Sequence, residues 1–148
     1  MDNVGKTRLT LIYSLASLYF GETMTIQQLH GQWGEDKAVA LLIEEGYEIL
    51  ARNWRYKRAE IDIIARENGI LVFVEVKSRA MTFFGRPEEM VDIRKKKLLI
   101  DAAMAYMRSI GYEWEIRFDI VGIIGEPEKG CEVALYRDAF FPGLGYGA

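Results

Sequence analysis

The chain has 148 residues, 50% of them hydrophobic, 28% charged and 12% aromatic, with three prolines, one cysteine and one histidine. That is the composition of a folded domain and excludes disorder, collagen and a disulfide scaffold; the lone Cys131 fits a reducing, cytoplasmic setting. With His30 as the sole imidazole, two-histidine zinc hydrolases and nucleases are out, and no Gly-x-Ser-x-Gly elbow exists for a serine triad. The net charge of −3 conceals segregation: residues 51–108 carry 13 Lys+Arg against 8 Asp+Glu, a surplus of 5, whereas 25–50 and 109–148 each sum to −4. The basic middle reads either as a surface that meets an anion or as solvated faces of a helix and a hairpin.

Residues 9–20 are apolar behind Lys6 and Arg8, superficially like a secretion signal, but too short to span a bilayer and without a clear cleavage site. Met24 is a credible alternative start, so residues 1–23 are taken as a leader and 24–148 as the single domain, with no membrane association expected. Trp33 to Glu45 is expected to form a helix ended by Gly46, with His30 on the surface before it, and Tyr47 to Trp54 a strand. Glu60 to Arg66 and Ile70 to Lys77 form two strands joined at Asn68-Gly69, a strong hairpin signal. A helix from Pro87 to about Ile110, with Glu88 and Glu89 in its first turn and Gly111 beyond its end, precedes strands Trp114 to Ile124 and Val133 to Phe140.

A two-residue loop at Asn68-Gly69 places Asp62 opposite Glu75 and Glu60 opposite Lys77. The other face then carries Ile61, Ile63 and Ala65 against Val72, Val74 and Val76, giving a sheet with one dry side and one side of carboxylates and a lysine. Like charges about 5 Å apart must share a proton or hold a cation. Asp62 and Glu75 suit Mg²⁺ or Mn²⁺, and Lys77 on the same face would bring an ammonium to an attacking water or a phosphate. Spacing alone equally allows an ordinary Glu60–Lys77 cross-strand pair.

Asp62 followed by Glu75-Val76-Lys77 resembles the PD-(D/E)XK signature of restriction-endonuclease-like nucleases, with Ile61-Asp62 in place of Pro-Asp. The wider run resembles the bacterial YraN family of endonuclease-like proteins over about residues 31–141. Its blocks are Gly34-Glu35, Arg52-Asn53-Trp54-Arg55, Glu60-Ile61-Asp62-Ile63-Ile64, Phe73 to Arg79, Phe84-Gly85 with Pro87, Arg117-Phe118-Asp119 and Ala139-Phe140. The resemblance implies an α/β fold with a restriction-endonuclease-like αβββαβ core, a mixed central sheet flanked by helices, akin to archaeal Holliday-junction resolvases. It also implies Glu35, Asp62 and Glu75 as metal ligands and Lys77 as the catalytic lysine, with Glu35 completing the catalytic site. Residues 1–23 match nothing in the family pattern.

Glu60 is expected in a supporting catalytic role, orienting a water or pairing with Lys77. Arg52, Arg55, Lys57 and Arg58, interleaved with Trp54 and Tyr56, form a basic, aromatic edge suited to phosphates and an unstacked base, or a solvated strand end. Arg79 extends that nucleic-acid-binding set. In Arg94-Lys95-Lys96-Lys97, the stripe Val91, Lys95, Leu98, Ala102, Tyr106 turns Lys95 inward toward the site and leaves the other three to the surface or a nucleic-acid backbone. Asp119 reads as structural. The sequence thus points to a metal-dependent phosphodiesterase acting on DNA, with branched or repair-intermediate DNA preferred by fold analogy. The rival is a non-catalytic nucleic-acid-binding or scaffold protein; a glycosidase dyad is disfavoured by the adjoining lysine. Resolvase-like activity would require a homodimer presenting two sites.

Overall fold

In the computed structural model, which describes residues 24–79 and 90–140, Asn68 and Gly69 have φ of 49° and 80°. Positive φ at both positions is the type I′ turn whose twist suits a two-residue hairpin. It sets strands β2 (Ala59–Glu67) and β3 (Ile70–Arg79) in the expected register from Glu67–Ile70 to Ile63–Val74, but the ladder ends there, and the expected pairs Asp62–Glu75 and Glu60–Lys77 are not part of it. Upstream lie α1 (Ile26–Glu44) and β1 (Glu48–Tyr56); downstream, α2 (Ile93–Ile110), β4 (Ile116–Glu126) and β5 (Gly130–Phe140). The sheet runs β1-β2-β3-β4-β5, with β3 and β4 parallel and the other neighbours antiparallel. The α/β class, the mixed sheet and the αβββαβ order are those implied by the restriction-endonuclease resemblance.

Boundaries differ where caps decide them. Helix α1 begins at Ile26, seven residues before Trp33, because Thr25 and Gln28 close a capping box. His30 therefore lies within the helix. At its other end Gly46 (φ 91°) and Tyr47 donate to the carbonyls of Ile43 and Leu42, a Schellman ending. Helix α2 starts at Ile93, not Pro87: Asp92 caps it by accepting the Lys95 N–H, and Gly111 (φ 64°) ends it. The leader 1–23, Phe84-Gly85, Pro87, Glu88 and Glu89 lie outside the described residues. No helix among the described residues is long and apolar enough to cross a membrane.

The core has two halves, and this corrects the one-sided sheet. Ala38 and Leu42 of α1 cover Ile63, Ala65, Val72, Val74, Val121 and Ile123, while Leu99, Ala102 and Ala103 of α2 cover Ile64, Leu71, Phe73, Phe118 and Ile120. Burying each such large apolar side chain stabilises the fold by roughly 1.5–3 kcal/mol, so both faces are dry. Ile61 packs in the α2 half with Phe73, not beside Ile63. The alternation of β2 breaks at Asp62, whose carboxylate accepts the Val76 N–H at 2.8 Å. A side chain there takes a strand donor that an unbroken ladder would give to a backbone carbonyl.

At the hairpin end, fully buried Asp119 accepts from Tyr47 Oη (2.7 Å), from Arg117 (2.8 Å) and from the Asp138 N–H (2.9 Å). Arg117 and Arg137 both donate to Glu67. Asp119 is thus a structural residue that ties β4 to β5 and to the chain leaving α1.

Candidate metal centre and cleft

The break at Asp62 is also where the acidic residues meet. One carboxylate oxygen from each of Glu35, Glu60 and Asp62 lies within 4.8 Å of the others, and all three residues are half-buried. Glu35 comes from α1, and two neighbours in β1 hold it: Asn53 Nδ2 donates to Glu35 Oε2 at 2.9 Å, and Arg52 reaches it at 3.6 Å while bonding Asp36 at 2.7 Å. Asn53 can do this because it sits at φ 51°, a left-handed conformation that asparagine tolerates better than most residues. Glu60 is held by Arg55 at 2.9 Å, so its partner is that arginine and not Lys77.

Glu75, on the neighbouring strand, is close enough for its charge to act on Asp62 but stands outside the three-carboxylate group. It is 3% exposed; Oε1 is ion-paired to Lys95 of α2, and Oε2 is buried with no hydrogen-bond partner among the described residues. The inward turn of Lys95 matches the apolar stripe read from the sequence, yet the group it meets is a carboxylate. The like-charge conflict between Asp62 and Glu75 is resolved twice over: Glu75 takes the Lys95 ammonium, and Asp62 is pushed up to about 8. Burial is the main cause of that rise and the Glu75 charge the next, with the Val76 N–H and Lys95 pulling the other way. Lys77 is half-buried, and its pKa is lowered by burial and then by Lys95, against the pull of Glu75 and Asp62. Burial opposes the charge of Lys95, but the Glu75 carboxylate outweighs it and raises its pKa.

The donor set is all carboxylate oxygen, which selects a hard cation such as Mg²⁺ or Mn²⁺ over zinc. An orphaned buried oxygen on Glu75 and a reluctant Asp62 carboxylate are both relieved by such a cation, so the residues fit the group. Glu35, Glu60 and Asp62 could hold it as they stand; Glu75 would join if Lys95 let go.

Beside this cluster a cleft of about 400 Å³ is walled by Arg58, Glu60 and Asp62 on one side and by Asp92, Arg94 and Lys95 on the other. Arg58 lines this cleft, as does Arg94, which the sequence reading left to the surface or a nucleic-acid backbone. The rest of the basic edge is dispersed. Arg52 and Arg55 are engaged with carboxylates, exposed Lys57 lies 5.2 Å from the Tyr56 ring, and exposed Arg79 donates to the Ser78 carbonyl at 2.9 Å. Trp54 stacks on Tyr56 and packs edge-on against Tyr106, 5.3 Å away, so the aromatic part of that edge is core packing. Asn53 is the residue to which the sequence reading gave no role; its signals were an asparagine inside a strand pattern and its place in the family block Arg52-Asn53-Trp54-Arg55.

A model of the uncharacterised protein family UPF0102 matches residues 34–123. A UPF0102 protein of Flavobacterium psychrophilum is 43% identical over 111 residues, covering 75% of this chain and 92% of that protein. The chain is a member of UPF0102. A second UPF0102 protein, from Bacteroides thetaiotaomicron, is 45% identical over 114 residues (77% of this chain, 93% of that protein), and one from Flavobacterium johnsoniae is 47% identical over 115 (75% and 93%). UPF0102 is the YraN family that the sequence blocks resembled. Among solved structures, Pyrococcus furiosus SfsA in complex with Ca²⁺ gives a TM-score of 0.36 at 18% identity. The chain spans 63% of that protein and itself is covered over 75%, a likeness too loose to place any residue.

Proposed function

We propose that this UPF0102 protein is a metal-dependent phosphodiesterase acting on DNA, with flap, junction or other repair-intermediate DNA as the substrate class. The observation that carries the reading is the convergence of Glu35, Glu60 and Asp62 next to a buried Glu75 oxygen without a partner, at the head of a cleft edged by cations. A bound Mg²⁺ or Mn²⁺ would acidify a water and neutralise charge on a phosphate. The chain's own contributions are positional. Asn53 and Arg52 hold Glu35, Arg55 holds Glu60, and the Val76 N–H holds Asp62. Lys77, near Asp62 and Glu75, supplies an ammonium beside the reacting phosphate, and Arg58 and Arg94 offer charge to the flanking backbone. Cutting two opposed strands of a junction would need two copies of the chain, a homodimer.

Lys77→Met separates binding from turnover. The variant should bind Mn²⁺ at least as well as the native protein and DNA no more than a few-fold more weakly, and cut at least 100-fold more slowly, the scale of one lost electrostatic group. Undiminished cutting would remove Lys77 from the chemistry. Salt-dependent DNA binding by the native protein, without cutting under any metal, would select the non-catalytic alternative.

A further inference from the structure

A second cavity, of about 280 Å³, opens on the α1 side of the sheet at the carboxyl ends of the parallel strands β3 and β4, the usual place for ligands in open α/β sheets. Its walls include His30, Gly31 and Trp33 of α1, Ser78 and Arg79 of β3, and Glu126 of β4. Two glycines shape it. At Gly34 α1 meets the sheet, where a Cβ would come into ordinary contact with Ser78 Cβ at 3.4 Å; one turn earlier, a Cβ on Gly31 would meet nothing within 4 Å. The cavity is continuous in sequence with the acidic site on two elements. Trp33 precedes Glu35 by two residues, roughly 3 Å along the helix axis but about 200° around it. On β3, Ser78 points to the face opposite Lys77 while Arg79, on the Lys77 side, lies roughly 6.6 Å further along the strand; the two sites meet at that strand end through Arg79.

The lining is mixed: an indole, an imidazole, a hydroxyl, a guanidinium, and the Glu126 carboxylate, which Lys129 contacts at 3.1 Å. A phosphate subsite would gather cations alone. A flat heterocycle with donors and acceptors on its edge suits this set, with its face on Trp33, and the volume falls just below the roughly 300–1,000 Å³ of sites for larger ligands. We propose that this cavity receives one unpaired nucleobase next to the scissile phosphate, so that the substrate is DNA with an unpaired nucleotide at or beside the cut. This rests on the phosphodiesterase reading and narrows its substrate class.

The test compares two duplexes of one sequence in EDTA, one carrying a single unpaired 2-aminopurine flap and one with that base paired. The flap should bind about tenfold tighter with its fluorescence quenched, within the range for one base stacked on an aromatic ring. Gly31→Leu, which fills open space at a helical position and improves helix propensity, should keep or raise the melting temperature and abolish both the preference and the quench. Trp33→Phe should give intermediate values. Equal affinity of the native protein for both duplexes, or a quench that survives Gly31→Leu, overturns the subsite. If Asp62-dependent cutting is present with equal affinities, the subsite alone falls; if no DNA is bound or cut, the phosphodiesterase reading falls with it.

Discussion

Lys95→Met removes the ammonium from Glu75 while keeping side-chain length, and it should move stability and metal affinity in opposite directions. Glu75 is 3% exposed and Lys95 41% exposed in its side chain, so the pair is buried at one end and wet at the other. Two unit charges 4 Å apart at an effective dielectric of 20 interact by about 4 kcal/mol, and stranding a buried partner costs about 3–5 kcal/mol. The exposed ammonium brings the expected loss down to about 2–3 kcal/mol. At roughly 2–4 °C per kcal/mol for a chain of this size, the metal-free variant should melt about 5–10 °C lower in EDTA. A cation held by Glu35, Glu60 and Asp62 feels the repulsion of Lys95 and gains Glu75 only by displacing it, so without Lys95 Mn²⁺ should bind about 10- to 100-fold tighter, at 1.4 kcal/mol per tenfold. Titration calorimetry with Mn²⁺ and thermal melts with and without EDTA read both effects. A folded Lys95→Met protein with unchanged or weaker Mn²⁺ affinity would refute the role of Lys95 as a counter-ion in the site.

Asp62, raised to about 8 in the fold, is a carboxylate whose stability contribution is complete below its unfolded pKa near 4 and is lost as pH climbs through about 8. In EDTA the melting temperature should therefore fall between pH 6 and pH 9, and Asp62→Asn should flatten that slope; a flat or rising native profile contradicts the burial of Asp62 against Glu75. Glu67 has the opposite sign. Burial raises its pKa, but Arg137 and Arg117 outweigh it and the net shift is downward, so its contribution is present above the ordinary glutamate range and lost as pH falls below about 4. Glu67→Gln should cost about 2–3 kcal/mol at pH 7 and reduce the acid sensitivity, which chemical denaturation at pH 7 and pH 3.5 will show. Asn53→Ala loses the bond to Glu35, worth about 1 kcal/mol, and places alanine at a positive φ. Mn²⁺ affinity should drop several-fold and the protein should melt lower; unaltered metal affinity would remove Glu35 from the ligand set.

Much of the site was legible because one local signal fixed a distant pairing. Asn68-Gly69 can turn a hairpin in two residues, and that turn dictates the register from Glu67–Ile70 to Ile63–Val74; the ladder stops one pair short of Asp62 and Glu75, where the Asp62 carboxylate takes the Val76 N–H. The inward turn of Lys95 followed from helical period, although its partner did not, since period gives a direction and not the atom at its end. Ile61 was placed on the wrong face because strict alternation assumes an unbroken ladder, and the Asp62 side chain takes the Val76 N–H instead. The start of α1 was missed where Thr25 and Gln28 carry the capping signal ahead of the apolar run. Glu35 had no local signature beyond a helix first turn that proved to lie elsewhere; its place came from family resemblance and from Asn53, whose left-handed backbone no hydrophobic pattern reveals.

Whether these carboxylates support phosphodiester cleavage is the central question for this protein. The direct measurement is a cleavage panel with protein purified from Met24, on linear, single-stranded, flap and four-way-junction DNA, in Mg²⁺, Mn²⁺ or EDTA, with folded Asp62→Asn alongside. The predicted result is cutting that needs the metal, favours substrates with unpaired nucleotides and disappears in Asp62→Asn. Cutting that persists in Asp62→Asn or in EDTA, or no cutting of any substrate by a protein that binds Mn²⁺, would contradict it.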